Sequence, residues 1–320
     1  MKKLMTLVLA AAMLLALCAC GEAARPSREK TYTVGICQLV QHAALDAATE
    51  GFKAALTEKL GDKVAFVYQN ASGDSATCAT ICSQFVSDEV DLIMANATAA
   101  LQAAAAATNT IPILGTSISD YGTALGIENW TGKTGVNISG TSDLAPLDGQ
   151  ANMVSELFPD AKTAGLLFCS GEPNSRYQAD VITPLLEANG LEVREYTFAD
   201  SNDVAAVTAS ACADCDVLYI PTDNTAASCT GAISNVALEA GVPIITGDEG
   251  TCTGCGVATL SISYYDLGYT TGEMAAEILV NGADPAETEI KFAPNVTKKY
   301  NASVCETLGV EIPEGYTAIG

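Results

Sequence analysis

Two successive rounds of short apolar runs alternating with longer helical stretches constrain this chain more than any other feature. The first round opens at Thr31. Residues 31–40 are rich in β-formers, and over 42–60 the apolar side chains Leu45, Ala48, Phe52, Ala55, Leu56 and Leu60 recur at the spacing of one helix face. Strands are expected at 64–71, 91–97 and 111–118, with helices at 75–88 and 100–109 between them. The second round places helices at 147–157, 175–189, 205–212 and 226–240, and strands at 163–170, 191–198, 217–221 and 242–247. Strands separated by helices in this way imply βαβ units and parallel sheets. With 320 residues, 49% of them hydrophobic, the chain can bury two cores. The predicted fold class is α/β, with two doubly wound parallel-sheet lobes.

Beyond Gly256 the alternation thins to a strand at 257–263, a helix at 266–279 and a strand at 289–292. These are too few elements for a third domain. The tail is therefore expected to cross back, add a helix to the first lobe and end on the second. Crossings near 141–145, 260–264 and 292–295 would make three hinge strands. The expected lobes are residues 31–143 with 261–292, and 144–260 with 293–320. Lobes joined in this way close on a ligand by hinge motion.

The N-terminus reads as an address. Lys2 and Lys3 precede an apolar run over 4–17, then Leu17-Cys18-Ala19-Cys20-Gly21. That is the layout of a secretory signal, and the run falls short of the roughly 20 residues that span a bilayer. Residues 17–20 resemble a bacterial lipobox. Residues 1–19 are expected to be removed, with Cys20 lipidated and 20–30 a polar tether. Acyl chains at Cys20 would hold the protein on the outer face of the cell membrane; ordinary cleavage with free secretion is the alternative.

Charge and motif content exclude several functions. Fifteen Lys and Arg against 38 Asp and Glu give a net charge of −23, and the few Lys are scattered, so nucleic-acid binding is ruled out. A single histidine, His42, rules out a multi-His metal site and reads as a capping or rim residue, with ligand contact the second reading. Neither phosphate-cradling glycine motif nor Gly-x-Ser-x-Gly occurs. Asp248-Glu249 is a poor glycosidase pair, because neighbours in an extended stretch point to opposite sides. Cys212-x-x-Cys215 and Cys252-x-x-Cys255 have the spacing of zinc ligands. They flank opposite ends of parallel strands, however, about 17–20 Å apart, so no metal site is expected. Cys78 and Cys82 read as packed thiols on one helix face, and a local Cys252–Cys255 disulfide is left open.

In open α/β sheets ligands sit outside the carboxyl ends of the strands. The residues there are Gln38, Asn70, Asn96 and Thr98, and Thr116 and Ser117 in the first lobe. In the second they are Ser170, Glu172, Asn174 and Ser175, then Asp223 and Asn224, then Glu249. Small hydroxyl, amide and carboxylate groups suit a neutral or zwitterionic ligand. Asp223 or Glu249 would take an ammonium, and Asn174-Ser175 at a helix N-terminus would take a carboxylate. The competing reading makes each residue merely a helix cap. Trp130 reads as a cover for the lobe edge rather than a ligand platform, and Tyr121, Tyr264 and Tyr265 lie closer to the expected cleft.

The segments 35–42 (Gly-Ile-Cys-Gln-Leu-Val-Gln-His), 45–48 (Leu-Asp-Ala-Ala), 140–144 (Gly-Thr-Ser-Asp-Leu), 170–175 (Ser-Gly-Glu-Pro-Asn-Ser) and 221–224 (Pro-Thr-Asp-Asn) resemble the ABC-transporter substrate-binding lipoproteins of the tryptophan or aromatic amino-acid type. The likeness runs over 31–320. It implies a type I periplasmic-binding fold that captures an aromatic amino acid between its lobes and hands it to a membrane permease, as a monomer without cofactor or catalysis. Carried over by position, Asn174 and Ser175 would grip the ligand carboxylate, and Asp223 and Asn224 the ammonium. Gln38, Asn96, Thr98, Thr116 and Ser117 would line the first-lobe wall. Ala43 and Ala99 stand where relatives often carry proline at a helix start, which only pre-sets the first turn. A sugar or nucleoside receptor of the same fold is the alternative within binding proteins. An exported α/β hydrolase is the alternative of another class, disfavoured by the missing nucleophile motif and the lone histidine.

Overall fold

The computed structural model describes residues 30–293 and 295–319. The expected signal peptide (1–19), the lipidation site Cys20 and the tether up to residue 29 lie outside the described residues. Among the described residues no helix is long and apolar enough to cross a membrane.

The first sheet is built by β1 (Tyr32–Gln38), α1 (Ala43–Leu60), β2 (Val64–Asn70), α2 (Ser75–Ser87), β3 (Leu92–Asn96), α3 (Thr98–Ala107), β4 (Ile113–Ile118), α4 (Tyr121–Leu125) and β5 (Ile138–Ser142). The chain then enters the second with α5 (Leu147–Leu157), β6 (Thr163–Cys169), α6 (Pro173–Ala188), β7 (Glu192–Phe198) and α7 (Val204–Asp214). It continues through β8 (Val217–Ile220), α8 (Asn224–Ser228), α9 (Thr230–Ala240), β9 (Ile244–Thr246), α10 (Glu249–Cys255) and β10 (Ala258–Ser261). The tail supplies α11 (Tyr264–Asn281) and β11 (Lys291–Phe292), then β12 (Thr297–Tyr300), α12 (Ala302–Leu308) and β13 (Thr317–Ala318).

Strand order is β11-β5-β4-β3-β1-β2 in one sheet and β13-β12-β10-β9-β8-β6-β7 in the other. The pairs are parallel except β10 with β12. The chain passes between the sheets at 143–146, 262–263 and 293–296. Two parallel α/β lobes with three crossings are thus the observed fold class. In each sheet the order reverses beside the first strand, at β1/β3 and at β6/β8, which is where open α/β sheets form a ligand crevice.

The strands are apolar on both faces, as buried parallel strands must be. In β1, Val34 and Ile36 pack with Phe52, Leu56 and Met274 under α1 and α11, while Cys37 turns to Phe85 and Leu101 under α2 and α3. Each fully buried side chain of this size contributes about 1.5–3 kcal/mol. α11 lies along α1 so closely that the backbones touch. A Cβ added at Gly51, Gly268 or Gly272 would run into the facing main chain at Tyr265, Ala48 or Phe52. Ala44 and Tyr264, from the first turns of α1 and α11, pack in one cluster, so the two N-termini start together.

Three details differ from the sequence reading. The helix expected over 226–240 breaks at Cys229 into α8 and α9, because Asp223 starts an early turn by accepting from the Ala226 amide. Asp248, read as extended, caps α10 through the Thr251 amide. After the third crossing β12 adds an antiparallel edge next to β10.

Candidate ligand-binding site

The carboxyl ends of both sheets face one narrow cavity between the lobes.

On the first-lobe side, α1 begins at the cavity, and Ala44 and Leu45 of its first turn line it. The residue before the helix is His42, not Ser, Thr, Asp or Asn, and no side chain caps the turn. Four N–H groups at a helix start lack intrahelical partners, and the dipole there favours negative charge. Beside it, β4 carries a register shift between Gly115 and Ile118. Ser117 stands in the shift at a left-handed φ of 57°, a conformation that costs a serine about 1–3 kcal/mol and concentrates at functional sites. The residue is 7% exposed, and its buried hydroxyl has no hydrogen-bond partner.

The first crossing supplies Asp143, 4% exposed. One oxygen accepts from the Tyr264 hydroxyl at 2.8 Å, while Oδ1 has no partner. Burial, restrained by the Tyr264 and Ser119 hydroxyls and reinforced by the charge of Asp248, pushes its pKa up to about 6.

On the second-lobe side the polar strand ends are bonded among themselves. Asp223 accepts from the Cys169 amide, the Ser175 hydroxyl and the Ala226 amide, each at 2.7 Å. Burial and the nearby Glu172 carboxylate push it up to about 8. Glu172 accepts from the amides of Asn224 and Thr225 at 3.0 and 2.8 Å and from both their side chains, so it occupies the start of α8. Asp248 accepts from the Thr251 amide and hydroxyl. Asn174, 6% exposed, donates to Thr222 O at 2.9 Å and leaves Oδ1 unpartnered.

Three side-chain contacts cross the cleft. His42 Nε2 lies 3.3 Å from Asn224 Oδ1, the Ser119 and Thr222 hydroxyls are 3.1 Å apart, and Gln178 donates to Ser119 at 3.1 Å. Asn224 Nδ2 already donates to Glu172, so His42 is the donor of its pair.

Of the residues expected from sequence, Ser117, Asn174, Asp223 and Asn224 line the cavity. Ser175 stands behind Asp223. Glu172 borders a neighbouring open groove between the lobes. The other seven are not brought to the cavity. Gln38 bonds Val40 O, Asp46 and Thr49; Asn96 donates to Leu45 O and Thr49. Thr116 joins a hydroxyl chain through Thr141 to Thr271. These three brace α1, β5 and α11 from inside the lobe, and Thr98 is buried in the first turn of α3. Asn70 shapes the turn after β2 through the Ser72 amide, Ser170 donates to Phe198 O, and Glu249 pairs with Lys299.

Two assigned roles also need correction. The donors of Asn174 and Ser175 are spent on Thr222 and Asp223, so that pair offers an acceptor rather than a carboxylate grip. Both oxygens of Asp223 are taken by its own lobe. Sequence reasoning gave Asp143 no role and treated Asp248 only as a weak catalytic candidate; the one signal for Asp143 was its place within the segment 140–144 beside a crossing. Trp130 stacks on Tyr121, with ring centroids 6.2 Å apart and planes at 10°, outside the cavity lining. The ten described cysteines are free thiols, including Cys252 and Cys255. Among the described residues no group of three or more His, Cys, Asp or Glu side chains is placed to hold a metal ion.

Comparison with known proteins agrees with this architecture. The profile of the family described as ABC transporter substrate binding protein matches residues 33–318. The chain is 38% identical to the tyrosine-binding protein of Clostridioides difficile (strain R20291) over 291 residues, 87% of this chain and 84% of the relative. A solved ABC domain in complex with L-Trp from Streptococcus pneumonia overlays with a TM-score of 0.86 at 30% identity, covering 91% of this chain and 100% of that one. The ligand-free, open structure of a substrate binding protein with adhesive properties from Clostridium difficile is more similar in sequence, at 37%. It overlays with a TM-score of only 0.69, covering 90% of this chain and 99% of that one. In this structure hydrogen bonds across the cleft hold the two lobes together. The chain belongs to the ABC transporter substrate binding protein family.

Proposed function

We propose that this protein is the receptor of an ABC importer and captures an aromatic amino acid in the cavity between its lobes. The observation that carries the reading is the convergence of three buried polar atoms without protein partners on one cavity: Ser117 Oγ, Asp143 Oδ1 and Asn174 Oδ1. An uncapped helix start opens into the same space. Unsatisfied acceptors suit an ammonium and free helix amides suit a carboxylate, so the lining matches an amino-acid head group. The binding named for the relatives, tyrosine in one and L-Trp in another, supports an aromatic side chain.

In this reading residues 1–19 are removed and Cys20 carries the lipid that keeps the receptor at the outer face of the membrane. The lobes comprise 31–143 with 261–292, and 144–260 with 293–320. The receptor works as a monomer, hands its ligand to a permease, and performs no chemistry and needs no cofactor.

Thermal melting of the purified receptor against the twenty amino acids, myo-inositol, glucose and adenosine tests the ligand class. Phe, Tyr or Trp at a hundredfold excess over Kd stabilises the protein by about 2.7 kcal/mol. Stabilisation by a sugar or nucleoside alone would sink the proposal.

A further inference from the structure

We propose that Asp143, positioned by Tyr264, is the residue that recognises the ammonium of the ligand and reports its arrival to the hinge. The inference rests on the reading that the ligand is an amino acid. It starts from a difference among the carboxylates at the cavity. Asp223 and Asp248 have both oxygens bonded to amides and hydroxyls of their own lobe. Asp143 has one oxygen bonded and the other bare. An ammonium has three N–H donors, and the cavity has three unpartnered oxygens, on Asp143, Ser117 and Asn174. No Lys or Arg lines it. A buried carboxylate with an open oxygen and no cation beside it is stabilised when one joins it.

Placement gives the same pair its second role. Asp143 is the first residue after β5, in one crossing, and Tyr264 opens α11, directly after another. Their 2.8 Å hydrogen bond ties two of the three hinge segments together beside the ligand. The groups that face Asp143 are Asp248 from α10, Tyr121 from α4, Tyr264 from α11, His42 from the start of α1, and Asp223 from the second-lobe wall. The surroundings are anionic, and burial raises the Asp143 pKa. A bound ammonium favours the carboxylate, so capture below about pH 6 displaces a proton and affinity falls as pH drops through that value.

Calorimetric titration with L-tyrosine and, by displacement, with 3-(4-hydroxyphenyl)propionate between pH 5 and 8 tests this on wild type, Asp143→Asn and Tyr264→Phe. Asp143→Asn should weaken L-tyrosine about 100-fold, leave the desamino acid unchanged, and remove the fall below about pH 6. Tyr264→Phe keeps the ring and loses the hydrogen bond, so the midpoint of the pH dependence moves upward. A merely structural role would lower the melting temperature without moving that midpoint. Equal losses for both ligands, or unchanged affinity in Asp143→Asn, overturn the assignment while the amino-acid reading stands. An unmoved midpoint in Tyr264→Phe overturns the positioning role. Failure of wild type to bind any aromatic amino acid overturns both.

Discussion

The two walls of the cleft are built from the same strand-helix unit but treat their polar groups in opposite ways. In the second lobe Glu172 occupies the start of α8, while Asp223 and Asp248 cap α8 and α10. In the first lobe the residues before α1 and α3 are His42 and Ala97, and neither helix has a side-chain cap. The second wall satisfies most of its own groups and leaves one acceptor, on Asn174; the first leaves the amides of α1 open and carries the other two unpartnered oxygens, on Ser117 and Asp143. Most of the open groups that suit a zwitterion therefore stand on the first wall, with Asn174 facing them from the second. Closing the empty cleft hides groups that water would otherwise satisfy, so a ligand that meets them favours the closed arrangement.

The largest expected effect comes from breaking the self-satisfied wall. Asp223→Ala leaves three donors facing nothing and should cost about 3–5 kcal/mol in urea unfolding. A loss below about 1 kcal/mol would show that the wall does not depend on this side chain. The same residue sets a pH slope. Burial and Glu172 raise its folded pKa to about 8, above the unfolded value of about 4. The folded state therefore holds the proton longer. The stability it contributes is full below about pH 4 and fades as pH rises towards 8, and Asp223→Asn should flatten that part of the curve.

Giving the first lobe the cap it lacks is the next test. His42→Asp should stabilise the ligand-free protein by about 1 kcal/mol and weaken amino-acid binding about tenfold by placing an anion where the ligand carboxylate sits. His42→Ala controls for the lost contact to Asn224. Unchanged affinity in His42→Asp would move the carboxylate elsewhere. The smallest effect is expected from Ser117→Ala. With no protein partner to lose, stability should change by less than about 0.5 kcal/mol, while affinity drops about threefold for one lost neutral hydrogen bond. Equal affinity would remove Ser117 from the ammonium cradle.

The fold was legible because its cause is periodic. Ile36 and Cys37 are neighbours in sequence and enter different cores, the signature of a strand covered on both faces. The spacing along α1 needed no tertiary information either. The site was legible only as a zone. Glu172 and Asp223 look alike at strand ends, and nothing local reveals that Glu172 spends both oxygens on amides 52 and 53 residues away. Asp143 was given no role because it lies in a crossing instead of a strand-to-helix turn. The helices α4 and α10 escaped because five and seven residues are too short for a repeat to register. Their aspartate caps, Asp120 and Asp248, were the available signal.

The glycine seam between α1 and α11 acts as a caliper. One jaw is the first turn of α1, the other the Tyr264 end that holds Asp143, and side-chain-free contact at Gly51, Gly268 and Gly272 leaves no slack to widen the gap. The two charges of an α-amino acid branch from one carbon, whatever the side chain. A β-amino acid inserts a further carbon, about 1.5 Å of extra bond length, and is expected to bind more weakly than its α-isomer in the same titration.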